Sequence, residues 1–243
     1  MMKDEHVTKT TDLAKYYDVS TATIRSDLSE LAKQGHLQRI HGGAITQQWL
    51  SREPSYGEKA HLHAPEKQKI GLAAASMIEE GMAVFIGNGT TTMEIIRNLP
   101  SDRHVRIFTN ALSHAAELAS KSNVEAFVVG GFLRGVSLAM VGHLAKRVLE
   151  GTYFDLAFLG VNGVSMEYGL TIPSLEESEI AADIVHRSQH TVIVADHSKF
   201  DVLAHGQIAD LSEISMLITD KLPDSNTREA LTRFDVEVRL IGE

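Results

Sequence analysis

The stretch from Thr10 to Ala44, TTDLAKYYDVSTATIRSDLSELAKQGHLQRIHGGA, constrains this chain more than any other part of it. Ile24, Leu28 and Leu31 recur at helical spacing after Ser20, whose hydroxyl can accept from the unpaired N–H groups of a first turn. Gly35 is placed to end that helix. Leu13, Ala14 and Tyr17 mark a shorter helix ahead of it, and Asp18-Val19-Ser20 leaves room only for a tight turn between the two. This is the spacing of a helix-turn-helix. Past Gly35, the run Leu37 to Ile40 and the segment from Ala44 bracket His41-Gly42-Gly43, where glycines permit the backbone of a tight hairpin.

The solvent face of the second helix carries Ala22, Ser26, Ser29 and Lys33, flanked by Thr23 and Arg25, a set of small, hydrogen-bonding and cationic groups. Such a face fits base edges and phosphates. The expected DNA contacts are therefore Ser20, Thr21, Thr23, Arg25 and Ser26, with Arg39 and His41 of the hairpin, read as a wing, against the phosphate backbone. A helical subdomain whose polar face is merely solvated is the competing reading.

Charge is unevenly distributed. Residues 1–52 hold seven Lys or Arg against six Asp or Glu, and the remainder holds sixteen against twenty-six. The acidic remainder is not a DNA surface, and a head of net charge +1 needs a second head on the same operator to bind well. A homo-oligomer is expected. With 243 residues the chain has room for a small head and a second domain with its own core. The expected division is a winged helix-turn-helix over 1–52, a linker over 53–64 around Pro54 and Gly57, and a second, ligand-binding domain over 65–243. There is no cysteine, no apolar run long enough for a membrane span and no signal-peptide core, so a cytoplasmic protein with no membrane partner is expected.

Beyond residue 65, helical and strand patterns alternate. Apolar strands are expected at Met82–Ile86, Val105–Phe108, Ala126–Val129, Leu156–Leu159, Val192–Ala195, Met216–Thr219 and Val236–Ile241, with helices at Pro65–Glu80, Met93–Leu99, Ala111–Ser120 and Leu175–Ser188. The fold class is α/β with a largely parallel sheet. Ligands of such sheets lie beyond the carboxyl ends of the strands. Those ends carry Gly87-Asn88-Gly89-Thr90-Thr91-Thr92, Thr109-Asn110, Gly130-Gly131 with Arg134, Asn162, and Asp196-His197-Ser198-Lys199. Asn88 to Thr92, opening a helix, can cradle an anion with backbone N–H groups and hydroxyls. Arg134 and Lys199 supply charge for a phosphate, and Asn110, Asn162 and Asp196 suit hydroxyls. The residues alone indicate an anionic polar metabolite.

The N-terminal motif resembles that of the DeoR family of bacterial transcriptional repressors in Leu13-Ala14, Val19-Ser20, Thr23-Ile24-Arg25, Asp27-Leu28, Leu31, Gly35, Leu37, Arg39 and His41-Gly42-Gly43-Ala44. The later chain is similar to that family's sensor domain in Gly89–Thr92, Thr109-Asn110, Gly130-Gly131, Phe158–Gly160, Gly169–Thr171 and Asp196–Phe200. The resemblance implies a sensor fold like ribose-phosphate isomerases and CoA transferases, operator DNA as a partner, and a phosphorylated sugar, sugar alcohol or amino sugar as effector, with Glu177 also in its site. It implies a repressor of a carbohydrate-utilisation operon and no cofactor.

Two departures stand out. Family members carry a further helix ahead of the motif, where this chain shows only Met1 to His6, so that helix is expected to be missing or truncated. Leu13, Ile24 and Leu28 would then lose apolar cover worth about 1.5–3 kcal/mol each. Many members of that family also carry a Lys-Arg pair four residues beyond the counterpart of Glu177, where this chain has Ala181-Ala182. The rival function is a sugar-phosphate isomerase or deaminase, with Glu177, Asp196 or His197 as proton-transfer groups. No catalytic residue and no metal site is expected: His61-Leu62-His63 reads as a solvated loop without a matching carboxylate, and adjacent Asp196, His197 and Ser198 cannot converge as a triad.

Overall fold

The computed structural model describes residues 7–33, 37–40, 43–46 and 53–241. The chain divides into two compact units, Met1–Pro54 and Ser55–Glu243.

In the smaller unit a short strand β1 (Val7–Lys9) leads into α1 (Thr10–Tyr17), α2 (Thr21–Lys33), β2 (Leu37–Ile40) and β3 (Gly43–Thr46). Asp18 ends α1 in a left-handed conformation, φ 53°, which turns the chain back within a few residues. Ser20 then starts α2, its Oγ accepting from the Thr23 N–H at 3.0 Å. The wing forms as expected, with Ile40 paired to Gly43 and Arg39 to Ala44 across an antiparallel ladder. Its tip, His41 and Gly42, and the helix end at Gly35 lie outside the described residues. The sequence reading missed β1, which pairs with β3 and makes a three-stranded sheet of order β1-β3-β2.

The expected exposure of Leu13, Ile24 and Leu28 is corrected: all three are buried, packed with Ala14, Leu37 and Ala44. The hairpin supplies their cover, because Leu37 and Ala44 face the helix pair. Tyr17 and Leu31, expected at packing positions, are instead 60% and 39% exposed.

The larger unit begins where a linker was expected, and residues Tyr56–His61 of that stretch are helical. Ser55 opens α3 (Tyr56–His61) with a capping box to Glu58, a signal visible in the sequence as Ser-x-x-Glu. Helix α4 (Ala64–Ala75) follows after His63, itself left-handed at φ 52°. Then come β4 (Ala83–Ile86), α5 (Thr90–Arg97), β5 (Val105–Thr109), α6 (Leu112–Leu118), β6 (Val124–Val128), β7 (Phe132–Arg134), β8 (Ala139–Val141), α7 (His143–Leu149) and β9 (Phe154–Gly160). The chain continues through β10 (Gly163–Ser165), β11 (Gly169–Ile172), α8 (Leu175–Arg187), β12 (Ser188–Val194), β13 (Gly206–Ala209), β14 (Met216–Thr219), α9 (Ser225–Arg233) and β15 (Glu237–Leu240).

All seven expected strands are present, shifted by a few residues at their ends, and they form one sheet of order β15-β14-β12-β9-β4-β5-β6 with every pairing parallel. The central strands read as continuous apolar runs because both faces are covered. Val84, Ile86, Leu156, Phe158, Val192, Val194 and Ile218 point to one face, against Ile70 and Ala74 of α4 and Ile95 and Ile96 of α5. Their neighbours Phe85, Ala157, Leu159, Ile193 and Leu217 point to the other, against Ile180 and Ile184 of α8 and Ala145 and Leu149 of α7. The alternation with a period of two thus builds two cores around one sheet.

Candidate effector and DNA-binding sites

Thr21, Thr23, Arg25 and Ser26 are exposed along α2. Ser20 and Thr23 are partly committed within the protein, their hydroxyls 2.8 Å apart with Ser20 also capping the helix. Thr21, Arg25 and Ser26 remain the outward groups of the face. His41 and the side chain of Arg39 lie outside the described residues.

At the carboxyl end of the parallel sheet, several expected effector residues meet. Strands β4 and β5 are neighbours, so the residues after them are held side by side: the Asn88 N–H donates to Asn110 Oδ1 at 3.0 Å, and Asn110 Nδ2 donates to Asn88 Oδ1 at 3.3 Å. Ser174 caps α8 by accepting from the Glu177 N–H, which sets the Glu177 side chain in the first turn. That carboxylate is 3% exposed. Its Oε2 accepts from Asn88 Nδ2 at 3.0 Å, and its Oε1 accepts from Arg134 Nη1 at 2.9 Å and from the Ser137 hydroxyl. A buried carboxylate is tolerated only when paired and hydrogen-bonded in this way. A narrow cleft opens beside it, lined by Gly87, Asn88, Asn110, Gly160, Glu177 and Ala181 among others.

Gly89 opens α5 at φ 149°, a conformation that side-chain-bearing residues rarely adopt. Its carbonyl is held from two sides, by the Thr92 hydroxyl at 3.1 Å and by His114 Nε2 at 3.1 Å. His114 was not singled out from sequence. It is fully buried, its Nδ1 lies 3.2 Å from Thr109 Oγ1, and burial lowers its pKa from 6.5 to about 4, so the ring is neutral. The expected cradle is therefore divided: Asn88, Gly89 and Thr90 are partly exposed, while Thr91 and Thr92 are buried and Thr92 serves the loop itself.

Gly130 and Gly131 follow β6, and at Gly131 (φ 137°) a Cβ would stand 2.5 Å from the Val141 carbonyl, so the glycine lets this hairpin close. Asn162 is half-buried, its N–H bonded to the Thr171 carbonyl.

Asp196 and Lys199 occupy another group of contacts, after β12. Asp196 is completely buried, which removes it from the expected sugar hydroxyls. Its Oδ1 accepts from the Ser198 N–H at 3.0 Å and from the Ser198 hydroxyl. Burial acts to raise its pKa, but the Lys199 ammonium, the Ser198 hydroxyl and His63 outweigh it and hold the carboxyl below its ordinary value. Lys199 Nζ donates to Ser198 Oγ at 3.2 Å and lies 3.9 Å from Asp196 Oδ2. His197 is held instead by Asp220, whose two oxygens accept from its N–H at 2.7 Å and face its Nδ1 at 2.6 Å. Asp196, His197 and Ser198 thus form no triad.

The reading of His63 as part of a solvated loop is corrected. It is half-buried, its ring edge-to-face with His197 at 4.8 Å, and burial lowers its pKa. Beside it Lys67 is buried, donating to the Lys59 carbonyl, with its pKa lowered to about 8, by burial first and by Lys199 second. No helix among the described residues is long and apolar enough to cross a membrane.

Residues 1–48 match the DeoR-like helix-turn-helix domain and residues 62–221 match the DeoR C terminal sensor domain. The chain is 38% identical over 226 residues to the HTH-type transcriptional regulator GlpR of Haloferax volcanii, covering 93% of this chain and 88% of that one. It is 31% identical to the HTH-type transcriptional repressor GlcR of Bacillus subtilis, over 98% of this chain and 91% of the other. To the glycerol-3-phosphate regulon repressor of Escherichia coli it is 29% identical, over 99% and 95%. Solved structures with a similar course include a sor operon regulator from Shigella flexneri, TM-score 0.45 at 13% identity over 70% of this chain and 88% of that one. Another is ribose 5-phosphate isomerase from Methanocaldococcus jannaschii, TM-score 0.42 at 16% identity over 55% and 53%. With both domain types matched in order along one chain, the protein belongs to the DeoR family of DNA-binding transcriptional regulators and is not an enzyme.

Proposed function

We propose that the protein is a repressor of a carbohydrate-utilisation operon whose grip on operator DNA is set by a phosphorylated sugar, sugar alcohol or amino sugar. The carrying observation is the cluster of Asn88, Asn110 and Glu177 at the carboxyl end of the sheet, where amide and carboxylate groups suit hydroxyls. The partly exposed start of α5 at Gly89 and Thr90 suits the anion. A relative named for glycerol-3-phosphate supports the same chemistry. Arg134 is bonded to the Glu177 carboxylate that lines the narrow cleft, whereas Lys199 is engaged with Asp196 and Ser198. Ala181 lines the cleft, so the wall at that point is small and uncharged.

DNA is held through the α2 face, with Thr21, Arg25 and Ser26 reading bases and Arg39 and His41 on phosphates. A homo-oligomer supplies the second head. Strand β6, at the sheet edge, supports this: Phe127 and Val128 are exposed, and Phe132 beside them is 71% exposed, so an apolar unpaired edge awaits a second copy.

Calorimetry against matched phosphorylated and unphosphorylated sugars, polyols and amino sugars tests the effector class. Binding of a phosphorylated member, lost in Arg134→Ala and kept in Lys199→Ala, is expected. Preference for unphosphorylated compounds would overturn the anion assignment.

A further inference from the structure

We propose that His63, Asp196 and His197 form a binding site for a divalent transition-metal ion of the zinc class, separate from the effector cleft. Each residue offers one donor atom, and the three atoms lie within 4.8 Å of one another. Two imidazoles and a carboxylate are the donor set of three-ligand zinc sites, which leave a fourth position for water. A tetrahedral site with bonds of about 2.0–2.1 Å has edges of roughly 3.4 Å, so small ring rotations close the present spacing.

Three observations besides proximity point to a cation. Asp196 is fully buried and its Oδ2 has no hydrogen-bond partner, an acceptor left over in a place where water does not reach it. Lys199 Nζ, at 3.9 Å, balances its charge without hydrogen-bonding to it. Second, Asp220 grips His197 at both the backbone N–H and Nδ1. A carboxylate held behind a ring nitrogen orients the imidazole, the contact that supports metal-bound histidines. Third, His63 stands in a left-handed backbone at the α3–α4 turn, φ 52°, and this brings its ring against His197. Both rings are partly exposed, which gives the ion a way in.

A bound ion would replace the loose Lys199 pairing and tie the first helices of the sensor unit to the carboxyl end of β12. Occupancy would then stabilise this corner of the fold by mass action.

The full chain, stripped with a chelator and dialysed, is titrated with Zn²⁺ alone by calorimetry, and with Co²⁺ while visible absorption is followed. One equivalent is expected, with the strong absorption of four-coordinate Co²⁺. His63→Asn, in which asparagine keeps the left-handed turn, should weaken Zn²⁺ at least tenfold with an unchanged thermal melt of the stripped protein. Asp220→Asn should weaken it by about 10–100-fold through His197. If the stripped parent takes up no stoichiometric Zn²⁺, or if folded His63→Asn and Asp220→Asn both bind as the parent does, the site does not exist.

Discussion

At the scale of single residues, the sharpest consequences belong to His114 and Arg25. His114 keeps the Gly89 carbonyl in place as a neutral ring, with a folded pKa near 4 against 6.5 in the open chain. Between those values the unfolded chain takes up a proton that the folded chain refuses, so stability falls as pH drops from 6.5 toward 4 and is flat in this respect above 6.5. Denaturant titrations at pH 7 and pH 5 should show the loss in the parent and a smaller one in His114→Gln. An equal pH dependence in both would acquit the histidine. Arg25 is exposed on the α2 face, and Arg25→Ala should cost about 1–3 kcal/mol of specific operator binding if it makes a bidentate base contact. Fluorescence anisotropy at matched salt measures this, and unchanged affinity removes the residue from base reading.

At the scale of elements, the helices and strands follow their residues closely, and the exceptions have local causes. Strand β1 has only three residues, too short to show alternation, and exists because β3 offers it a ladder. Helix α3 was hidden by the glycine and prolines around it, although its Ser55–Glu58 capping box stands in the sequence. Strand β6 reads as apolar and therefore buried, yet residues 125–128 are exposed, since it lies at the end of the sheet order. Phe132→Glu, in the hairpin beside that edge, should place a charge in a contact between copies. Sedimentation equilibrium is expected to show a shift toward monomer and the operator titration a matching loss of affinity. An unchanged mass would assign oligomerisation to another surface.

For the whole molecule, the proposed function has effector and operator acting on one equilibrium, so each is expected to alter the affinity for the other by the same factor. Titrating effector at saturating and zero operator should give that factor both ways. Glu177→Gln, which keeps the shape of the buried cluster but removes the charge paired with Arg134, should weaken the effector and leave operator binding by the ligand-free protein near that of the parent. Loss of both together would mean that Glu177 supports the fold as a whole.

The sequence by itself determined the helix-turn-helix and wing, the seven parallel strands and the polar strand ends, because period, capping and turn chemistry act over a few neighbouring residues. It also brought Asn88 and Asn110 forward, since ligand crevices of parallel sheets lie at strand ends. Only the tertiary structure decided which polar groups meet. Asn88, Glu177 and the hairpin turn that carries Arg134 and Ser137 come from three separate segments, and His63, Asp196 and Asp220 come from three others. Burial likewise separates Asp196 and Thr92, which are fully buried, from Asn88 and Gly89, which are partly exposed. Strand order and packing fix these distances, and both arise from contacts between residues far apart in the chain, for which local spacing carries no signal.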